Sequence, residues 1–90
     1  MKSVNDPRYM RFLEKLKAAR ADAALSQEDL ARRLEKHQTY VSKIERGERM
    51  LDLMEFMHWA QCLGASPLDL LQDLAREVGG RRRRARLPFL

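Results

Sequence analysis

The chain of 90 residues predicts an all-α fold of five short helices, and two observations lead there. Apolar residues recur at spacings of three and four, and no segment alternates every second residue as a half-buried strand would. Glycine and proline are scarce and fall between the periodic segments: Pro7 behind Asp6, then Gly47, then Gly64 followed by Ser66 and Pro67, then Gly79 and Gly80. Asp or Ser ahead of a helix, Pro at its first position and Gly just past its end satisfy or terminate the orphaned polar groups of helix ends. The helices are therefore expected over about 7–23, 27–35, 38–46, 53–63 and 67–78. They form one domain over 7–78, between an N-terminal extension, 1–6, and a flexible arginine-rich tail, 79–90.

Each helix has its own apolar stripe. The first carries Tyr9, Phe12, Leu13 and Leu16. The second is opened by Ser26, whose hydroxyl can cap it while Asp29 reaches back to the Ser26 amide, and its stripe is Leu30, Ala31 and Leu34. In the third, Val41 and Ile44 must point inward, which leaves Gln38, Thr39, Ser42 and Lys43 pointing out. The fourth carries Leu53, Phe56, Met57, Ala60 and Leu63, with Trp59 beside them and assigned to the core. The fifth carries Leu71, Leu74, Ala75 and Val78. Leu68, Leu70 and Cys62 exceed what one face of that helix can bury, and exposed apolar residues on a small domain mark a partner surface. A two-fold dimer contact is expected there, joined by Met50 and Leu51.

The formal charge of +5 is unevenly distributed. Residues 1–51 carry 12 Lys/Arg and 8 Asp/Glu, residues 52–80 carry 1 and 5, and residues 81–90 carry 5 Arg and no acid. The first half is basic and suits phosphates; the second is acidic and turns away from them. No apolar run approaches membrane-spanning length and MKSVNDPRYM is too polar for a secretion signal, so a cytoplasmic protein without membrane contact is expected. With one cysteine and two histidines, neither a disulfide within the chain, a metal site nor a cofactor is expected. No nucleophile–base constellation or phosphate-binding glycine loop is present, so an enzyme is not expected either.

The two central helices, about nine residues each with a three-residue link, must cross steeply and expose the outer face of the second. LSQEDLARRL, QTYVSKIERGER and CLGASPLDLL, at their separations, resemble the phage repressor and Cro type of helix-turn-helix, the xenobiotic-response-element family, over about residues 9–72. The resemblance implies a five-helix, lambda-repressor-like domain that binds double-stranded DNA as a homodimer. It places Gln38, Thr39, Ser42 and Lys43 on the base-reading face. Lys43 can donate to guanine O6 and N7, and Gln38 can pair with adenine through two bonds. Gln27 matches a family glutamine that bonds phosphate and braces the recognition helix. Tyr40 falls beside the reading face, with its hydroxyl toward the DNA backbone. Arg46 and Arg49 match a loop that contacts phosphate through side chains and backbone amides. Glu45 matches a glutamate that pairs with an arginine late in the first helix, here Arg20, a structural assignment.

The chain departs from the family pattern where Glu35, Lys36 and His37 replace the usual Gly-Val-Ser of the turn. Without glycine, either a residue near Glu35 becomes left-handed or the second helix ends differently. His37 stands at the usual Ser/Thr cap and either touches phosphate or is an exposed turn residue; His58 is expected on the surface. The tail GGRRRRARLPFL is either solvated or an arm that binds phosphates or a narrow minor groove. The expected function is a homodimeric transcriptional regulator, by default a repressor, on an inverted repeat. The competing expectation is a protein-interaction module, an antitoxin or adaptor, with a protein partner.

Overall fold

Asp6 caps the first helix: its carboxylate accepts the Arg8 amide at 2.8 Å, and Pro7 follows with its fixed φ and missing N–H. In the computed structural model, residues 6–79 are described. They form five helices: α1 (Pro7–Asp22), α2 (Gln27–Leu34), α3 (Gln38–Glu45), α4 (Leu53–Leu63) and α5 (Pro67–Gly79). The expectations for residues 1–5 and 80–90, the tail arm included, lie outside the described residues.

Capping fixes the starts. At α2, Ser26 Oγ accepts the Asp29 amide and Asp29 accepts the Ser26 amide, both at 2.9 Å. At α4, Asp52 and Glu55 make the same reciprocal pair at 2.7 and 3.0 Å. Each pair satisfies two donors that the helix itself cannot. Four helix ends share one closing motif, with a left-handed residue whose amide and the next amide bond back into the last turn. Gly47 and Gly64 fill that position after α3 and α4, whereas Ala24 and Glu35 fill it after α1 and α2.

The helices enclose a core from all five: Phe12, Leu13, Leu16, Leu30, Ala31, Leu34, Val41, Ile44, Leu51, Phe56, Trp59, Ala60, Leu63 and Leu70. α1 packs on α5 and α3, and α2 packs on α3 and α4. Leu13, Leu16 and Leu30 are completely enclosed, so truncating any one to alanine costs about 2–5 kcal/mol. Tyr9 adds a polar tie, its hydroxyl accepting the Leu51 amide at 3.2 Å.

The structure corrects three expected faces. Trp59 is fully buried, and seating its large ring turns Phe56, Ala60 and Leu63 inward with it. Leu53 and Met57, expected on that inner stripe, are exposed instead. On α5, Leu70 is buried at 5% exposure, beside Phe12 and Leu74, and Ala75 is exposed. Leu51 is buried as well. The apolar surface is therefore Met50, Leu53, Met54, Met57 and Leu68, with Leu68 79% and Met54 74% exposed. Cys62 is half-buried and committed to α2: its thiol donates to Arg33 O at 3.6 Å, and Arg33 donates to Cys62 O at 3.0 Å. No helix among the described residues is long and apolar enough to cross a membrane.

Candidate nucleic-acid interface

The turn between α2 and α3 is built without glycine. Lys36 N–H bonds Ala31 O at 2.9 Å and Glu35 N–H bonds Arg32 O at 3.1 Å, which places Glu35 at φ 59°, the left-handed alternative. A side chain there costs about 1 kcal/mol relative to right-handed backbone. His37 then extends the chain and caps α3, its Nδ1 accepting the Thr39 amide at 3.2 Å and lying 3.0 Å from Thr39 Oγ1. With Nδ1 used as an acceptor, the ring proton belongs on Nε2. His37 is exposed, so it is both a cap and a surface residue.

Val41 and Ile44 are fully buried and fix the roll of α3. Thr39 and Lys43 are exposed, and Gln38 and Ser42 are half-buried along the same outer row. Beneath that row runs a chain of polar contacts. Arg20 holds Glu45 through two nitrogens at 2.8 and 3.0 Å, and its third nitrogen donates to Leu25 O at 2.9 Å. Glu45 is buried at 4% exposure. It also accepts from Gln27 Nε2 at 2.9 Å, and Gln27 Oε1 accepts from Gln38 Nε2 at 2.7 Å. The polarity of this chain follows from its first member. A carboxylate only accepts, so Gln27 must turn its NH2 inward and its oxygen toward Gln38. Gln38 must then spend one N–H on Gln27, leaving its carbonyl oxygen and its second N–H for a partner. The Glu45 carboxylate raises the Arg20 pKa further above its already high value.

Beyond α3 the expected phosphate residues are tied down. Arg46 is ion-paired with Glu48 at 2.8 and 3.2 Å and donates to Ser42 Oγ. Arg49 is ion-paired with Glu55 at 2.9 and 3.1 Å, and its guanidinium lies 5.1 Å from the Tyr40 ring centroid. Lys36 approaches the same ring at 5.3 Å, both within cation–π range. The Tyr40 hydroxyl accepts from Trp59 Nε1 at 3.1 Å, so it braces α3 against α4; burial raises its pKa. The amides after α3 are spent internally: Arg46 N–H on Ser42 O, Gly47 N–H on Ile44 O and Glu48 N–H on Lys43 O, at 2.9–3.0 Å. The resemblance implied backbone amides of this loop on phosphate; at 46–48 those donors close the helix instead.

Sequence reasoning passed over Glu48 and Glu55, the partners of both arginines. For Glu55 a signal existed, since Asp52 and Glu55 have capping-box spacing and fix where that carboxylate stands. The Gln27–Glu45 bond, spanning 18 residues, had no local signal.

A family model described as helix-turn-helix matches residues 16–71, more than half of the chain. The control protein C.BamHI of Bacillus amyloliquefaciens is 45% identical over 47 residues, which cover 52% of this chain and 58% of that protein. The chain thus spans little more than half the length of that curated relative. Among solved structures, an XRE-family like protein from Pseudomonas syringae pv. tomato str. DC3000 is 41% identical with a TM-score of 0.73, covering 78% of this chain and 85% of that one. The clp gene regulator ClgR from C. glutamicum is 25% identical with a TM-score of 0.70, covering 81% and 95%. Five helices, an α2–α3 pair joined by a three-residue turn and these matches agree: the chain belongs to the Cro/C1-type, or XRE, helix-turn-helix family, a family of DNA-binding regulatory proteins and not of enzymes.

Proposed function

We propose that the chain is a sequence-specific transcriptional regulator that places α3 in the major groove of double-stranded DNA. The observation that carries this reading is the outer row of α3 resting on the Arg20–Glu45–Gln27–Gln38 chain. Gln38 is left with one acceptor and one donor, the complement of adenine N6–H2 and N7. Ser42 Oγ already accepts from Arg46, so its hydroxyl proton is best used outward, toward an acceptor such as thymine O4 or guanine O6. Lys43 brings an exposed ammonium to guanine, and Thr39 a methyl and a hydroxyl. Arg46, Arg49, Gln27 and His37 surround the row and supply phosphate contacts, which position the helix without reading sequence. Tyr40 serves that ring indirectly, as the platform under Arg49 and Lys36.

The protein acts as a homodimer, with two α3 helices about one DNA turn apart, ~34 Å, on an inverted repeat. The exposed Met50, Leu53, Met54, Met57 and Leu68 supply the contact, next to a depression of about 390 Å³ lined by Met54, Met57, His58, Gln61, Ala65 and Pro67. Methionine is suited to such surfaces because it adapts its shape. Repression by occupying a promoter is the mode proposed. The same apolar surface is what an adaptor would use, and that is the competing reading. Selection of duplexes from a random DNA pool separates the two. An enriched inverted repeat is expected; a folded protein that enriches no sequence would overturn the proposal and favour the adaptor.

A further inference from the structure

Arg46 and Glu48 flank Gly47 on the loop that follows the reading helix, and the closing motif of α3 holds both rigidly. The carboxylate of Glu48 faces the guanidinium through two contacts at 2.8 and 3.2 Å, with the two side chains 45% and 54% exposed. It is held below the usual carboxylate range, first by Arg46 and also by the charge of Lys43. Arg46 in turn is pushed further up by Glu48. The Glu48 carboxylate is therefore bonded to one cation of the proposed DNA surface in the two-pronged geometry that guanidinium also offers phosphate.

We propose that Glu48 is an affinity-setting residue that competes with DNA phosphate for Arg46. This rests on the DNA-binding reading above. For a phosphate to take the Nε–Nη2 edge of Arg46, Glu48 must be displaced, and the displaced carboxylate remains near the polyanion. Both effects weaken attachment to DNA of any sequence, where phosphate contact supplies essentially all the binding. Glu48 thus raises the protein concentration at which arbitrary DNA is occupied. It also orients Ser42 at one remove, since the guanidinium it fixes is the one that donates to Ser42 Oγ. Glu55, which holds Arg49, does not carry the same inference because it also caps α4.

The test is fluorescence anisotropy with a short random-sequence duplex over a series of salt concentrations, with folding checked by circular dichroism. Glu48→Gln is expected to bind tighter by up to about five-fold per protomer, the upper end for an exposed ion pair. The slope of log K against log salt should steepen by up to ~0.9 per protomer. In an Arg46→Gln background the gain should fall to less than half, leaving only the carboxylate's direct repulsion of the polyanion and the share that acts through Lys43. No gain in Glu48→Gln, or an equal gain with and without Arg46, would overturn the proposal while leaving DNA binding intact. A folded wild-type protein that ignores the duplex even at low salt would overturn the DNA-binding reading itself, and this proposal with it.

Discussion

Glu45 shows how one buried charge can organise a surface it does not reach. Its carboxylate is taken up by Arg20 and Gln27, and the polarity it imposes on Gln27 passes to Gln38. Removing the charge leaves the Arg20 guanidinium, itself only 19% exposed, without its partner. Glu45→Ala is expected to lose about 3 kcal/mol, the lower end for breaking a buried pair. Urea unfolding followed by the emission of Trp59, the sole tryptophan, measures it; a loss under 1 kcal/mol would show the pair to be ornamental. Arg20 and Glu45 could be matched from the family pattern in the sequence, and so could the outer row of α3. The Glu48 partner of Arg46 could not, because exposed loop side chains choose among several neighbours and backbone geometry decides which carboxylate is nearest, whereas the capping-box spacing of Asp52 and Glu55 did mark the partner of Arg49.

Helix ends were the most legible elements, since Asp6, Ser26 and Ser66 announce starts through chemistry that acts over three residues. Helix roll was less so. On α4, Met57 and Trp59 are both apolar and each fits a helical stripe, and only the volume available in the core decides that Trp59 goes in. On α5, Leu70 and Leu71 are neighbours, and the seat against Phe12 selects Leu70. The two left-handed positions without glycine give a direct prediction. Glu35→Gly and Ala24→Gly should each relieve strain, and since glycine also loses more freedom on folding, the net gain is expected at ~0.5–1 kcal/mol. The reverse change, Gly64→Ala, meets no atom within 4 Å of the added carbon and so should lose about 1 kcal/mol from backbone conformation alone. Thermal unfolding of the three variants checks both signs; a destabilised Glu35→Gly would contradict the account of that turn.

The whole molecule titrates at both ends. Asp6, Asp29, Glu48, Glu55 and Asp73 are all held below their usual range, chiefly by Arg8, Ser26, Arg46, Arg49 and Arg76 respectively. A depressed carboxylate stabilises the fold above its unfolded value, about 4, and that contribution is lost as pH falls further. Tyr9 and Tyr40 are raised by burial, so their contribution is present below about 10 and lost as pH rises past it. Unfolding midpoints should thus form a plateau bounded by declines near those two values; a steady slope between them would contradict it. The proposed dimer belongs to this scale too. Met54→Lys with Met57→Lys should leave the helical signal unchanged yet shift sedimentation from dimer to monomer, and a wild type that is monomeric at micromolar concentration would remove the proposed contact.

Whether α3 reads bases is decided by the position-by-position affinity of Gln38→Ala and Lys43→Ala on the selected half-site. Each variant is expected to lose about 1–3 kcal/mol and to relax preference at its own base pair, adenine for Gln38 and guanine for Lys43. A uniform loss across all sequences, with every base preference retained, would contradict it and place both side chains on the phosphate backbone.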